Sequence, residues 1–452
     1  MIPAAFAPFL EAAPLCVMTR LTLESLFRPD RLDTLFRDTA QRQYEKELLF
    51  SELVELMLSV VLCVDPSVHA AYKKRAAMLP VSDQAIYDKL QGMELGVSGA
   101  LVKDSATQLT PVIDALDARS PDWIRGYRTR ILDGNHLSKS ERRIKELRST
   151  WAAALPGKVL AVYEPATDLV TNVCLTPDGH AQERSLSDDI LALVERRDLW
   201  IADRNFCTLR LLFGIDGRGA AFAIRQHACM PTRLLGKRRY RGRSETGRVY
   251  EQTMELAYEG QSLRLRRVTV VLDQPTTDGD TEIHVVTNLS EKKADAVTVA
   301  ELYRKRWTIE GRFYEVTQTL NCEPNTLGYP KAALFAFCLA LVASNAVALM
   351  RASLRTVHDL DAVEEMSRYY VALEIRETYV GMMIALPPAR WVAFSKLDTM
   401  ELADALREVA RYVQPAKYRK ARRGPKKPPL PKGKYSNGEH VSTHKVLQNR
   451  FK

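Results

Sequence analysis

Residues 158–206 read KVLAVYEPATDLVTNVCLTPDGHAQERSLSDDILALVERRDLWIADRNF, and this stretch decides the fold. KVLAVYE (158–164) and DLVTNVCLT (168–176) are short apolar runs of strand character. SLSDDILALVERRD (185–198) has helical spacing, and LWIAD (199–203) returns to a strand. Working outward, TRILD (129–133) supplies a strand before this stretch and AAFAIRQ (220–226) one after it.

Three strands, a helix and two further strands are the order expected of a ribonuclease-H-like, retroviral-integrase-like α/β core. In that layout the first and fourth strands lie side by side. Asp133 in ILDGNHL and Asp203 in LWIADRNF can then approach each other across 70 positions of sequence. A third acid, Glu310, lies in VTVAELYRKRWTIEGRFYEVTQTL (297–320), which has no proline and has apolar residues at helical intervals, so one helix packed across the sheet is expected there. Carboxylates are hard oxygen ligands. Three that converge can hold a pair of Mg²⁺ ions about 4 Å apart for in-line attack on a phosphodiester, so Asp133, Asp203 and Glu310 are the candidate catalytic and metal-binding residues. Tyr303 and Arg306 share a helix face with Glu310 by their i, i+3, i+7 spacing. Arg306 is a candidate to grip a phosphate, and Tyr303 to contact the DNA backbone or pack against a sugar. His136 and Asn205 are expected as outer-sphere residues beside the aspartates. Trp200 and Trp307 are read as core.

The interval between Asp203 and Glu310 is longer than a minimal core needs. RVYEQTMELAYEG, SLRLRRVTVVLDQ and TEIHVVTNL alternate and are β-branched, which indicates a β-rich insertion at about 226–290. Within it KRRYRGR (237–243) is read as a phosphate-gripping loop through Lys237, Arg238, Arg239, Arg241 and Arg243, with Tyr240 interleaved; a charged surface turn is the plainer alternative. Residues 1–120 read as helical, a candidate DNA-end-binding domain, with Ser82 as a helix cap. The core spans 121–350, a helical region 351–415, and a basic arm 416–452. From Arg411 to Lys452 thirteen Lys or Arg face one acid, Glu439, so the chain's net charge of +10 is concentrated at its end. The prolines of KYRKARRGPKKPPLPKGKY favour an extended, flexible segment suited to phosphate backbones, with Arg422 and Arg423 as candidate DNA contacts.

Other classes are disfavoured. The seven cysteines are scattered, odd in number and without a C-x-x-C pair, so a reducing cytoplasm fits better than a disulfide framework or a thiolate zinc site. The apolar run Ala332–Met350 is interrupted by Ser344 and Asn345 and is expected to be a buried core helix, not a membrane span. MIPAAFAPFL lacks a basic segment before its apolar residues and is read as a loose terminus or docking strand. No Walker sequence or dinucleotide fingerprint is present.

Taken jointly, DGNHL, ADRNF and the Tyr303, Arg306, Glu310 spacing resemble the DDE transposases of bacterial insertion sequences, in particular the insertion sequence 4 family with its Y-x2-R-x3-E-x6-K signature. The resemblance covers most of the chain, though only the core motifs are sharp. It implies a cut-and-paste DNA transposase that uses Mg²⁺, with Mn²⁺ able to substitute. It also implies double-stranded DNA partners (terminal inverted repeats and target), a hairpin intermediate, a homodimer on DNA, and a cytoplasmic, nucleoid-associated location with no membrane. The sequence departs from the signature at Thr317, where the family has Lys, a residue expected to hold a phosphate of the transposon end. A structure-selective nuclease with the same core and a catalytically inactive DNA-binding regulator are the alternatives.

Overall fold

The apolar runs around residues 128–225 form one half of a nine-stranded mixed sheet in an α/β fold. The computed structural model describes residues 2–43, 45–137, 153–276, 279–324, 327–420 and 440–448. Arg422 and Arg423 lie outside the described residues. In chain order the strands are β1 (Arg128–His136), β2 (Ala153–Leu155), β3 (Lys158–Glu164), β4 (Leu169–Thr176), β5 (Asp198–Ala202), β6 (Ala221–Arg225), β7 (Arg233–Ser244), β8 (Gly247–Tyr258), β9 (Gln261–Leu272), β10 (Glu282–Thr287) and β11 (His440–Ser442). The main sheet runs β4-β3-β1-β5-β6-β10-β9-β8-β7. β1 is antiparallel to β3 and parallel to β5, and β5 is parallel to β6. Every residue of β3 and β5 is buried, as expected where both faces of a central strand are covered.

The insertion adds strands to this sheet. β10 pairs antiparallel with β6 and with β9, and β9, β8 and β7 follow as a meander. KRRYRGR therefore lies in the edge strand β7 and not in a loop. Because almost nothing in β7 is buried, no apolar alternation marks it in the sequence.

Alternation within the strands divides the core in two. Leu132, Leu160, Trp200 and Phe222 face the short helices Ser187–Ala192 and Leu209–Gly217 through Ile190, Leu211 and Ile215. Ile131, Ala161, Leu199 and Ile201 face the opposite layer, built on the helix Pro330–Arg355. That helix is long and apolar enough to cross a membrane by length and composition, and 94% of its most apolar window is buried inside the protein. Its Asn345, buried, spends its amide on the edge strand β4: Oδ1 accepts from Val170 N at 2.8 Å and Nδ2 donates to Val170 O at 2.9 Å. Backbone groups that an edge strand leaves open are thereby satisfied.

The amino-terminal segment is helical over Ala4–Phe6 and Ala7–Ala12, neither a strand nor a loose end. Phe6 is fully buried edge-on against Trp391, 4.7 Å between centroids. Ser82 does cap the helix Asp83–Gly92, accepting from Ala85 N. At the other end β11 pairs with β2, and Ser442 donates to Asp178 Oδ1 at 2.5 Å, so that part of the basic arm is packed on the core.

Candidate active site

The parallel pairing of β1 with β5 ends at Leu132 and Ala202. Asp133 and Asp203 are the next residues along each chain segment, which places them next to one another where the two strands stop pairing. Both continue the face of Ile131 and Ile201, the side on which the acidic helix packs. β1 itself runs on to His136 against β3, so Asp133 sits within a strand and not at its end.

The third acid arrives differently from the single helix expected. Two helices, Ala296–Arg304 and Trp307–Thr319, meet at Lys305–Arg306. The junction is tightened by i→i+3 bonds, Arg306 N to Tyr303 O at 3.0 Å and Ile309 N to Arg306 O at 3.2 Å. The break accompanies the burial of Arg306, which is 5% exposed. Its Nη1 donates to Asp133 Oδ2 at 2.8 Å and its Nη2 to Glu310 Oε1 at 2.7 Å. One guanidinium thus bridges two of the three acids. The residue after it, Trp307, is exposed and not in the core, while Trp200 is buried.

Tyr303 is buried, and its hydroxyl donates to Asp203 Oδ1 at 3.3 Å. Burial, then the Asp203 carboxylate, pushes the phenol up to about 12, which keeps it protonated as a donor. Tyr303 and Arg306 therefore hold the acids here, where the sequence suggested contacts to DNA. Burial raises the Asp133 carboxyl to about 6 against the opposing pull of Arg306, with Glu310 and Glu183 adding to the rise.

Among the described residues, no three carboxylate, imidazole or thiolate groups stand close enough together to hold a metal ion as they are. Arg306 occupies the position between Asp133 and Glu310 where a cation would neutralise them. The donor chemistry suits a divalent cation accompanied by a phosphate: three hard carboxylates, with two buried N–H donors, Asn135 Nδ2 and Arg306 Nε, that lack hydrogen-bond partners among the described residues.

The expected outer residues His136 and Asn205 line one cavity. His136 lies three positions after Asp133, on the other face of β1, and lines a cavity with Lys158, Glu183, Arg204 and Asn205. Asn205 donates from Nδ2 to Glu183 Oε2 at 3.2 Å. Glu183 is the residue that sequence reading missed; it belongs to no motif and lies 20 positions before Asp203.

The basic strand is largely neutralised internally. Arg238 pairs with Glu282 at 3.1 Å and lies over the Tyr250 ring at 4.3 Å. Arg241 pairs with Glu251 at 2.8 Å, and Arg243 with Asp273 at 2.5 Å. Lys237 and Arg239 are exposed and make no ion pair among the described residues.

A relative, the putative transposase y4zB of Sinorhizobium fredii (strain NBRC 101917 / NGR234), is 30% identical over 168 residues, a match covering 36% of this chain and 44% of that protein. A cryo-EM structure of the piggyBac transposase synaptic complex with hairpin DNA aligns at TM-score 0.38 and 10% identity, over 88% of this chain and 85% of that one. The span that carries Asp133, Asp203 and Glu310, residues 124–346, matches the family described as transposase DDE domain.

Proposed function

We propose that the chain is a metal-dependent DNA transposase of the insertion sequence 4 type, which cleaves at terminal inverted repeats and transfers the freed strand in a cut-and-paste reaction. What supports this reading is the pairwise placement of acids distant in sequence: Asp133 and Asp203 each follow the last paired residue of neighbouring parallel strands, and Asp133 and Glu310 share the Arg306 guanidinium. The strand order β4-β3-β1-β5-β6, with β3 antiparallel to its neighbours, supports a ribonuclease-H-like core. The spacing of Tyr303, Arg306 and Glu310 and the family match over residues 124–346 support the transposase class.

Asp133, Asp203 and Glu310 would hold divalent metal, Mg²⁺ or in its place Mn²⁺. Bound there, the metal would supply a Lewis-acid centre for activating an oxygen nucleophile and neutralising phosphate charge. Tyr303 orients the Asp203 carboxylate by donating to it. Arg306 neutralises Asp133 and Glu310 in the absence of other cations. Released from either acid, its planar fork suits a phosphate oxygen. Exposed Lys237 and Arg239 on β7, together with Arg422 and Arg423 in the arm, are proposed to contact the DNA backbone as two copies assemble on paired ends.

The test is Mg²⁺-dependent cleavage of a labelled duplex that carries the element's own terminal repeat. Wild type should cut at the repeat boundary, while Glu310→Gln and Asp203→Asn bind the duplex and leave it intact. Equal binding by all three proteins with no cutting would reject the catalytic reading in favour of a DNA-binding regulator. Cutting with no preference for the repeat would indicate a nuclease.

A further inference from the structure

Behind the paired aspartates, on the opposite face of the sheet, a fourth carboxylate touches the residues that follow both of them. Glu183 begins a short 3-10 turn, Glu183–Leu186, that packs against the turn Arg204–Phe206 directly after Asp203. One of its oxygens, Oε2, accepts from Asn205 Nδ2 at 3.2 Å. The other, Oε1, lies over Gly134, where an added Cβ would stand 2.4 Å from it. Such an approach excludes any side chain at position 134 unless Glu183 moves. One carboxylate therefore touches both the Asp-Gly-Asn of β1 and the Asp-Arg-Asn after β5.

We propose that Glu183 is a positioning residue of the metal-binding site: by seating on Gly134 and holding Asn205, it fixes β1 beside Asp133 and the turn after β5 so that Asp133 and Asp203 present their carboxylates together to divalent cations. The inference rests on the reading of these acids as metal ligands. Its action is geometric. Glu183 stays behind the sheet, and its effect reaches the cation through the backbone of β1 and of the turn after β5. Outer-shell partners of this kind tune affinity by orienting the ligands.

The experiment is Mn²⁺ binding to the full chain without DNA, read by the loss of the free-ion electron paramagnetic resonance signal, with thermal unfolding of each variant alongside. Wild type should bind, and Asp133→Asn should lose binding. Glu183→Ala should weaken binding about tenfold or more. Glu183→Gln keeps an oxygen for Asn205 and a similar shape over Gly134 without the charge, and should restore near-wild-type affinity. Gly134→Ala should weaken binding in the wild-type background and add nothing in the Glu183→Ala background, because both changes break the same contact.

Wild-type affinity in Glu183→Ala, with binding lost in Asp133→Asn, would overturn the role of Glu183 and leave the metal site standing. If Glu183→Gln falls as far as Glu183→Ala, the carboxylate acts through charge and the positioning role is rejected. Full additivity of Gly134→Ala with Glu183→Ala would reject it as well. If wild type binds no Mn²⁺, or Asp133→Asn binds unchanged, the metal site fails and the inference with it.

Discussion

Arg306 does two jobs that the sequence presents as one. Its spacing before Glu310 places both on one side of the chain, and that much can be read from residue numbers alone. What spacing cannot give is the partner. An arginine next to phosphate chemistry reads as a DNA contact, yet in the folded chain its two Nη atoms are taken by Asp133 and Glu310. Removing a buried cation that separates two acids leaves their charges uncompensated, a change that costs about 3–5 kcal/mol for a buried pair; Glu310 is partly exposed, so the low end applies. Arg306→Ala should therefore lower the melting temperature of the metal-free protein. Adding Mg²⁺ should raise that temperature by a larger increment in the variant than in wild type, because the ion then supplies the only positive charge between the acids. Equal increments in differential scanning fluorimetry would show that the guanidinium and the ion do not compete. The positions of Asp133 and Asp203 followed from strand order, and alternation on β1 also explains why His136, close in sequence, is placed on the other face.

Among the elements, the strands with a buried face were the ones that could be read. β1, β3, β4, β5 and β6 all coincide with apolar or β-branched runs, because burial restricts what those positions can hold. β7 carries no such imprint: as an exposed edge strand rich in Lys and Arg, it resembles a charged loop. The break between the helices Ala296–Arg304 and Trp307–Thr319 was equally silent, since no glycine or proline marks it; it coincides with the buried Arg306. β10 joins the two halves of the sheet and contains a titration signature. Burial first, and Arg267 second, depress His284 from 6.5 to about 4, and its Nδ1 lies 3.0 Å from Thr269 Oγ1. The folded state holds this imidazole neutral while the unfolded chain protonates it at its ordinary value. Its contribution is then fully present above about pH 6.5 and is lost as the pH falls toward 4. Urea midpoints for wild type and His284→Gln should lie closest together at pH 4.5 if the glutamine is the poorer fit, with the gap widening toward pH 7.5. A gap independent of pH would remove the imidazole from the balance.

For the whole molecule, the change of sequence character near residue 120 marks a shift from helices to strands, and the hydrophobic core runs across it. Phe6, Phe36, Phe50 and Leu101 from the first helices share one core with Ile131, Val159 and Leu199 from the sheet. Pro330–Arg355 is the element on which they meet. It packs on the helices Pro14–Leu26, Phe50–Val61, Asp83–Gly92 and Leu95–Ala115, on Thr399–Ala410 near the carboxyl end, and on β4. Its apolarity all round, which makes it look like a membrane span in sequence, is what a helix buried on every side requires. Within it Phe335 is fully buried, 6.0 Å from Phe50, which stacks in turn on Phe36 at 5.0 Å. Phe335→Ala should cost about 3–5 kcal/mol, the range for deleting a buried aromatic ring. Because the ring belongs to a core common to the amino-terminal helices and the sheet, the loss should appear as one displaced transition. Far-UV circular dichroism and the fluorescence of Trp200, in β5, read in a background whose other four tryptophans are replaced by phenylalanine, should shift together in urea. A variant in which the helical signal melts early while Trp200 keeps its wild-type midpoint would show that the amino-terminal helices hold a separate core, and that they could move independently of Asp133, Asp203 and Glu310 when DNA binds.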